Sequence, residues 1–292
     1  MKKNILVTGA NGQLGNEIRQ SISKYKDYNF IFVDVNDFDI ADLKSVTKFF
    51  KKNKINFIIN CAAYTNVDGA ETETKKAEEI NALGVSWLAD MAKNHNCPLI
   101  HISTDYVFDG RMRSTPYTEN DMSNPDSAYG RTKYIGEQML LTVPKHIIIR
   151  TSWLYSSFGN NFVKTMLKHG KEKSEMSVVY DQIGTPTYAA DLAKVVLLFT
   201  EKLIEKTKPI QNGIYNFSNE GVASWYDFAV EIMNQSGIDC KIKPILTKDY
   251  PTPATRPHFS ILDKSKIKET LGIEIPHWKE SLIKCLKIIE KN

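Results

Sequence analysis

The stretch NILVTGANGQLGNEIRQSI, residues 4–22, constrains the chain more than any other. It reads as an apolar strand, a glycine-rich turn and a helix. Gly9, Gly12 and Gly15 stand at a GxxGxxG spacing. Glycines at such a turn permit a tight bend, let the backbone approach a pyrophosphate, and pack the helix closely on the strand. The helix N-terminus then offers unpaired N–H groups and a partial positive charge to phosphates. In a strand–turn–helix unit at the start of the chain, the motif points to nucleotide binding rather than to a merely structural turn.

The same alternation continues. NFIFVDV (29–35), INFIINCAA (55–63), CPLIHISTD (97–105) and HIIIRTSWLY (146–155) read as strands, and AEEINALGVSWLADMAKNH (77–95) carries helical spacing. Strands alternating with helices predict an α/β fold of the Rossmann type, a doubly wound parallel sheet covered on both faces. Ligands of such sheets bind beyond the carboxyl ends of the strands. Here those ends carry TGANG, NCAAYT, STDYVF and TSWLY, so the chemically able residues cluster where a site belongs.

Beyond residue 155 the pattern loosens. NNFVKTMLKHG, AADLAKVVLLFTEKL and SWYDFAVEIMNQSG read as helices, the last closed by Gly237. MSVVYDQIGTPTY reads as strand then loop, NGIYNFS as a strand, and KPILTKDYPTPATRPHFS as mostly loop. The expected division is a dinucleotide-binding domain over 1–155, with segments near 188–218 returning to it. A smaller substrate-binding lobe is expected over 156–187 and 219–292.

Composition narrows the function classes. The 292 residues suffice for a sizeable core, with 42% hydrophobic and 25% charged residues. A net charge of +4, spread over scattered lysines without interleaved aromatics, argues against nucleic-acid binding. Cys61, Cys97, Cys240 and Cys285 lie far apart with no metal-ligand spacing, as expected of reduced thiols in a cytoplasmic protein. The N-terminal apolar run stops at residue 7, too short for a signal peptide or membrane span.

Several residues are candidates on position alone. Asp34 ends the second strand 19 residues after Gly15, where a carboxylate would accept hydrogen bonds from an adenosine ribose and repel a 2′-phosphate. A solvent-facing or capping Asp is the alternative. Asp39 and Ile40 could flank the adenine, or Asp39 could cap the helix starting near Asp42. In SAYGRTKYIGE, Tyr129 and Lys133 are four residues apart and share one helical face. Thr104 follows a strand and could be a fixed dipole or a backbone cap. Asn81 could hold a water or a backbone segment. Arg256 could grip a substrate phosphate through its fork or tie down the C-terminal loop.

GANGQLG, NCAAYTNVDGAE, STDYVFDG, YGRTK, RTSWLY, NNFVKTML, DQIGTPTYAADLA and RPHFSIL together carry a likeness. Running in this order from residue 9 to about 262, they make the chain resemble the extended short-chain dehydrogenase/reductases, most closely their dTDP-4-dehydrorhamnose reductase branch. The resemblance implies NADH- or NADPH-dependent reduction of the C4 ketone of dTDP-4-dehydro-6-deoxy-L-mannose, the last step of dTDP-L-rhamnose synthesis. It implies Thr104, Tyr129 and Lys133 as catalytic residues. Gly9, Asn11, Gly12, Gln13 and Leu14 would form the cofactor turn, and Ala62, Ala63, Tyr64 and Thr65 the loop beside the nicotinamide. Thr65, Val67, Thr104, Asp105, Tyr106 and Trp153 would line the deoxysugar pocket, although an aromatic after RTS could equally be core. Some relatives form dimers bridged by magnesium. Here Asn16 flanks the glycine turn and no acidic residue ends the chain, so a homodimer is possible but no metal site is expected.

A ketone reduction needs a hydride from the dihydronicotinamide and a proton for the oxygen. A phenol near pKa ~10 is a sluggish donor. An ammonium close by is expected to lower that value and make Tyr129 the acid. The asymmetry at Asp34 favours NADH. Two other readings stay open: an epimerase or dehydratase on another nucleotide sugar, and a regulatory subunit like the partner of methionine adenosyltransferase. A dehydratase would want a second carboxyl group after Asp105, where this chain has Tyr106.

Overall fold

The computed structural model describes residues 2–205 and 209–291. Five strands from the first half form one sheet: β1 (Lys3–Thr8), β2 (Tyr28–Phe32), β3 (Phe57–Asn60), β4 (Leu99–Thr104) and β5 (His146–Thr151). A late strand, Gly213–Asn216, joins the edge beside β5. The order is β2-β1-β3-β4-β5 and then Gly213–Asn216, with every pair parallel. Parallel strands covered on both faces need continuous apolar runs. Accordingly β3 and β5 are buried at every residue.

Eleven α-helices are found among the described residues: α1 (Gln13–Ser21), α2 (Leu43–Lys52), α3 (Val67–Thr72), α4 (Thr74–Glu78), α5 (Gly84–Asn94), α6 (Ala128–Leu140), α7 (Phe162–Glu172), α8 (Ala189–Glu205), α9 (Trp225–Ser236), α10 (Ser265–Leu271) and α11 (Trp278–Ile289). Successive strand residues point to opposite faces. Ile5, Val7, Ile59 and Ile149 pack with Ile18 of α1 and Leu192 and Phe199 of α8. Leu6, Ile58, Leu99 and Ile148 pack with Phe50 of α2, Leu88 of α5 and Leu140 of α6. The doubly wound α/β sheet is the fold predicted from the sequence.

Three local features differ from the sequence reading or sharpen it. The helix expected over 77–95 is interrupted by a π-helical turn, Glu79–Leu83. Its Asn81 is fully buried and bonded inward, and such turns widen a helix where a side chain must reach out of register. The strand Lys241–Ile245 takes the first residues of the expected proline-rich loop and pairs with Glu175–Val179. Helix α9 closes on left-handed Gly237, as the sequence predicts, and opens on a capping box of Ser224 and Asp227 that the sequence reading did not name.

A third apolar cluster gathers Tyr155, Met166 of α7, Phe228 and Ile232 of α9, and Trp278 and Leu282 of α11. Among the described residues no helix is long and apolar enough to cross a membrane. Strand β1 lies between β2 and β3, so the chain leaves it in opposite directions. The crevice this opens at the carboxyl ends is where open α/β sheets bind ligands.

Candidate active site

One cavity of about 870 Å³ runs across those carboxyl ends. At one end lies the glycine turn. Gly9 is left-handed at φ +61°, and a Cβ there would stand 2.7 Å from the Ala62 nitrogen. At Gly15 a Cβ would stand 2.5 Å from the Gly9 carbonyl oxygen, so only glycine lets α1 sit this close to β1. Gly12 is the N-cap of α1 and supplies no side-chain acceptor, and no acidic residue occupies the first turn. The first N–H groups of α1 are left for an anion from the cavity. The bare turn, the unsatisfied helix start and a cavity of this volume that reaches from Asp34 to Lys133 fit a dinucleotide.

Asp34 lines the same end. Its Oδ2 accepts from the Asn11 N–H at 2.7 Å and its Oδ1 from the Val35 N–H at 2.8 Å. The carboxylate is thus pinned at the lip by the turn it faces. Asp39 and Ile40 also line the cavity. The cap of α2 is Asp42, which accepts from the Lys44 N–H, so Asp39 does not serve as that cap. Its Oδ1 accepts from the Ala41 N–H instead.

In the middle, Ala62, Ala63, Thr65 and Val67 line the wall, but Tyr64 does not. Its ring packs with Ala70, Ala77 and Ala128, and its hydroxyl bonds Glu73. Alternation along the loop sends this side chain to the far side. Asn11 likewise stands outside, exposed, bound through its backbone to Asp34 and Asn16. Buried Asn81 holds both backbone groups of Tyr64 and donates to Thr132 of α6. Of its two expected roles, the backbone one is observed.

Thr104, Tyr129 and Lys133 meet across the cavity floor. The N-terminus of α6 is set by Ser127, which accepts from the Gly130 N–H, and by Glu71, which accepts from the Ala128 N–H at 2.8 Å. These caps hold Tyr129 in the first turn, its ring edge-on to Tyr106 at 5.5 Å. Thr104 donates to Asp105 Oδ1 at 3.0 Å and accepts from the Tyr106 N–H. Lys133 is buried, and its Nζ donates to the Ile102 carbonyl at 2.6 Å and lies 3.2 Å from His101 Nε2.

The electrostatics correct one expectation. Burial pushes the Tyr129 phenol up to about 12, with the Thr104 hydroxyl pulling weakly the other way. Burial also brings Lys133 down to about 8. In the protein without cofactor Lys133 therefore does not make Tyr129 more acidic, because desolvation acts against the charged form of both groups. Asp105 is 2% exposed and burial raises it to about 6.

Trp153 borders the cavity at a left-handed φ of +47°. Its indole stacks on Trp225 with centroids 3.7 Å apart and planes 8° from parallel. Trp225, the first residue of α9, also lines the site and was not among the sequence candidates. An aromatic opening a helix carries no local signal of which cavity it faces. Asn161 is a second omission: it caps α7 and donates to Gln13 Oε1 at 3.0 Å, joining the loop before α7 to the glycine turn. Arg256 lines the cavity but its fork is spent on Asp68, at 2.8 and 2.6 Å. The tying role is the one observed.

Known proteins are similar to this chain in sequence and in fold. The family model of the RmlD substrate binding domain matches residues 1–291. The dTDP-4-dehydrorhamnose reductase of Aggregatibacter actinomycetemcomitans is 42% identical over 285 residues, covering 95% of this chain and 96% of that protein. The crystal structure of a dTDP-4-dehydrorhamnose reductase from Clostridium acetobutylicum superposes with a TM-score of 0.92 at 45% identity, over 98% of this chain and 99% of the other. That of the Bacillus anthracis dTDP-4-dehydrorhamnose reductase, in complex with NADP, gives 0.91 at 38% identity, over 99% and 100%.

Proposed function

From the fact that the chain belongs to the RmlD family together with the dTDP-4-dehydrorhamnose reductases, we infer that it is an NAD(P)H-dependent oxidoreductase of dTDP-rhamnose biosynthesis. It reduces the C4 ketone of dTDP-4-dehydro-6-deoxy-L-mannose to give dTDP-L-rhamnose. The observation that carries this reading is the convergence of Thr104, Tyr129 and Lys133 on one cavity whose other end is the bare glycine turn.

In this reading Gly9, Gly12, Gln13 and Leu14 hold the pyrophosphate against the start of α1, and Asp34 receives the ribose hydroxyls. Ile40 and Asp39 border the adenine, while Ala62, Ala63 and Thr65 border the nicotinamide half. A bound dihydronicotinamide supplies the hydride. Tyr129 holds the proton at its hydroxyl and delivers it to the ketone oxygen, and Thr104 donates a hydrogen bond to the same oxygen as a fixed dipole. Lys133 orients the cofactor ribose. Thr65, Val67, Asp105, Tyr106 and Trp153 receive the deoxysugar, with residues 156–187 and 219–292 as the substrate lobe. The pinned carboxylate of Asp34 supports NADH over NADPH, since a 2′-phosphate would meet like charge. The proposal extends to a cytoplasmic location and a homodimer.

Tyr129→Phe removes the proton donor and little volume. Turnover of NADH with the dTDP-4-dehydro sugar should fall about 10²–10⁴-fold while cofactor affinity stays within two-fold. A variant that turns over within a few-fold of the parent protein ends the assignment of Tyr129 as the acid.

A further inference from the structure

Thr8, Asn60 and His101 stand side by side on neighbouring strands, at the carboxyl ends of β1 and β3 and within β4, as register partners. All three are buried, and none belongs to the reaction described above. Asn60 Oδ1 accepts from the Thr8 hydroxyl at 2.6 Å and from the Ala62 N–H at 3.2 Å. A backbone N–H can only donate, so the amide oxygen must face Ala62 and the amide nitrogen must face His101. That nitrogen lies 3.0 Å from His101 Nδ1. Nδ1 therefore carries a lone pair, and the one proton of the neutral imidazole sits on Nε2. Nε2 is the nitrogen 3.2 Å from Lys133 Nζ.

A neutral amine can accept from that N–H, whereas an ammonium has no lone pair to do so. We propose that His101, oriented by Asn60, is a positioning residue that holds Lys133 toward its neutral amine in the protein without cofactor. His101 thereby sets the pH at which the lysine becomes charged.

The groups around Lys133 offset this environment only in part, with Glu137 and Cys61 drawing the lysine toward its charged form against the larger effect of burial. From the next turn of α6 comes Glu137, but Arg150 of β5 already engages both its oxygens at 2.7 and 2.9 Å. From the loop after β3 comes the Cys61 thiol, which burial pushes to about 12 and keeps neutral. One turn back stands the Tyr129 phenol, also neutral, and β4 offers only the Ile102 carbonyl and His101. Burial carries His101 well below the ordinary histidine range, so an imidazolium does not form. The position of Lys133, down to about 8, agrees with this environment.

The effect on turnover rests on the cofactor role given to Lys133, but the central test needs neither cofactor nor activity. In isotope-labelled, cofactor-free protein, long-range proton–nitrogen spectra read the His101 tautomer and the Lys133 Cε shift reads its charge against pH. The expected tautomer is Nε2–H. His101→Gln, whose amide oxygen can turn to an ammonium, should raise the Lys133 midpoint by at least one pH unit. The alkaline limb of kcat/KM should move with it. Asn60→Asp keeps the shape but accepts a proton from Nδ1, so it should reverse the tautomer and also raise the midpoint. An Nδ1–H tautomer in the parent protein overturns the proposal. So does an unmoved midpoint in folded His101→Gln, or an unreversed tautomer in Asn60→Asp. Moved midpoints without sugar-dependent NADH oxidation would instead count against the function and leave His101 as assigned.

Discussion

Asp105 shows how a single buried residue can weaken the fold at neutral pH. Its carboxyl is buried at the end of β4, with Oδ1 bonded to Thr104 and Oδ2 without a partner. Burial lifts it from 3.8 to about 6. Below pH ~4 the folded and unfolded chains both carry the proton and nothing is lost. As the pH rises toward 6 the unfolded chain ionises first, and stability falls by about 3 kcal/mol in all. Asp105→Asn should therefore raise Tm at pH 7.5, and the gain should vanish near pH 4. A gain of the same size at both pH values would mean the carboxyl is solvated. The same residue should lose affinity for the sugar on substitution, a conflict between stability and function common at buried sites.

At the scale of elements, the Trp153–Trp225 stack joins the segment after β5 to the first residue of α9. Trp153 is one of two non-glycine residues with positive φ among those described, a conformation that surrounding packing must hold. Trp225 does so face to face, and Phe162 of α7 packs on Trp225 at 4.7 Å. A face-to-face pair this close is held by the burial of both indole faces more than by the quadrupole attraction of offset rings. Trp225→Ala should raise KM for the dTDP-sugar roughly tenfold, since Trp153 would no longer be fixed at the cavity wall. Cofactor affinity, followed by quenching of protein fluorescence, should change less than two-fold. An unaltered sugar KM would show that Trp153 keeps its place without its neighbour.

Across the whole molecule, Arg256 and Asp68 join the C-terminal segment to α3 at the cavity rim, and the Ala254 N–H adds a third bond to Asp68. The Arg256 fork holds the Asp68 carboxyl below the ordinary range. This tie is complete above pH ~4 and is lost only as the pH falls through that lowered value. Asp68→Asn separates the two possible duties of Arg256. If the tie matters most, the dTDP-sugar should bind more weakly. If the guanidinium also meets a phosphate, freeing it should preserve or strengthen binding. Isothermal titration with dTDP distinguishes these, and the tie predicts a loss of several-fold.

Sequence alone determined much of this protein because its strongest signals are local. A strand too apolar for an exposed sheet, followed by glycines and a helix, admits few architectures, and the Gly9–Gly15 turn, Tyr129 and Lys133 could be placed by spacing. The closing Gly237 is written in a single residue, whereas the cap of α2 is Asp42 and not the Asp39 that the sequence offered. What required tertiary structure was every relation between distant segments. Whether Tyr64 faces the cavity depends on which way its loop turns, and Asn81 settles that from seventeen residues away. Trp225 and Asn161 reach the site only because α9 and α7 pack beside it. The protonation of the Tyr129–Lys133 pair was misjudged from spacing alone, because burial in the assembled fold raises the phenol and lowers the amine. Spacing along one element specifies which side chains share a face. Desolvation and hydrogen-bond direction belong to the assembled molecule, and they set the protonation state with which those side chains work.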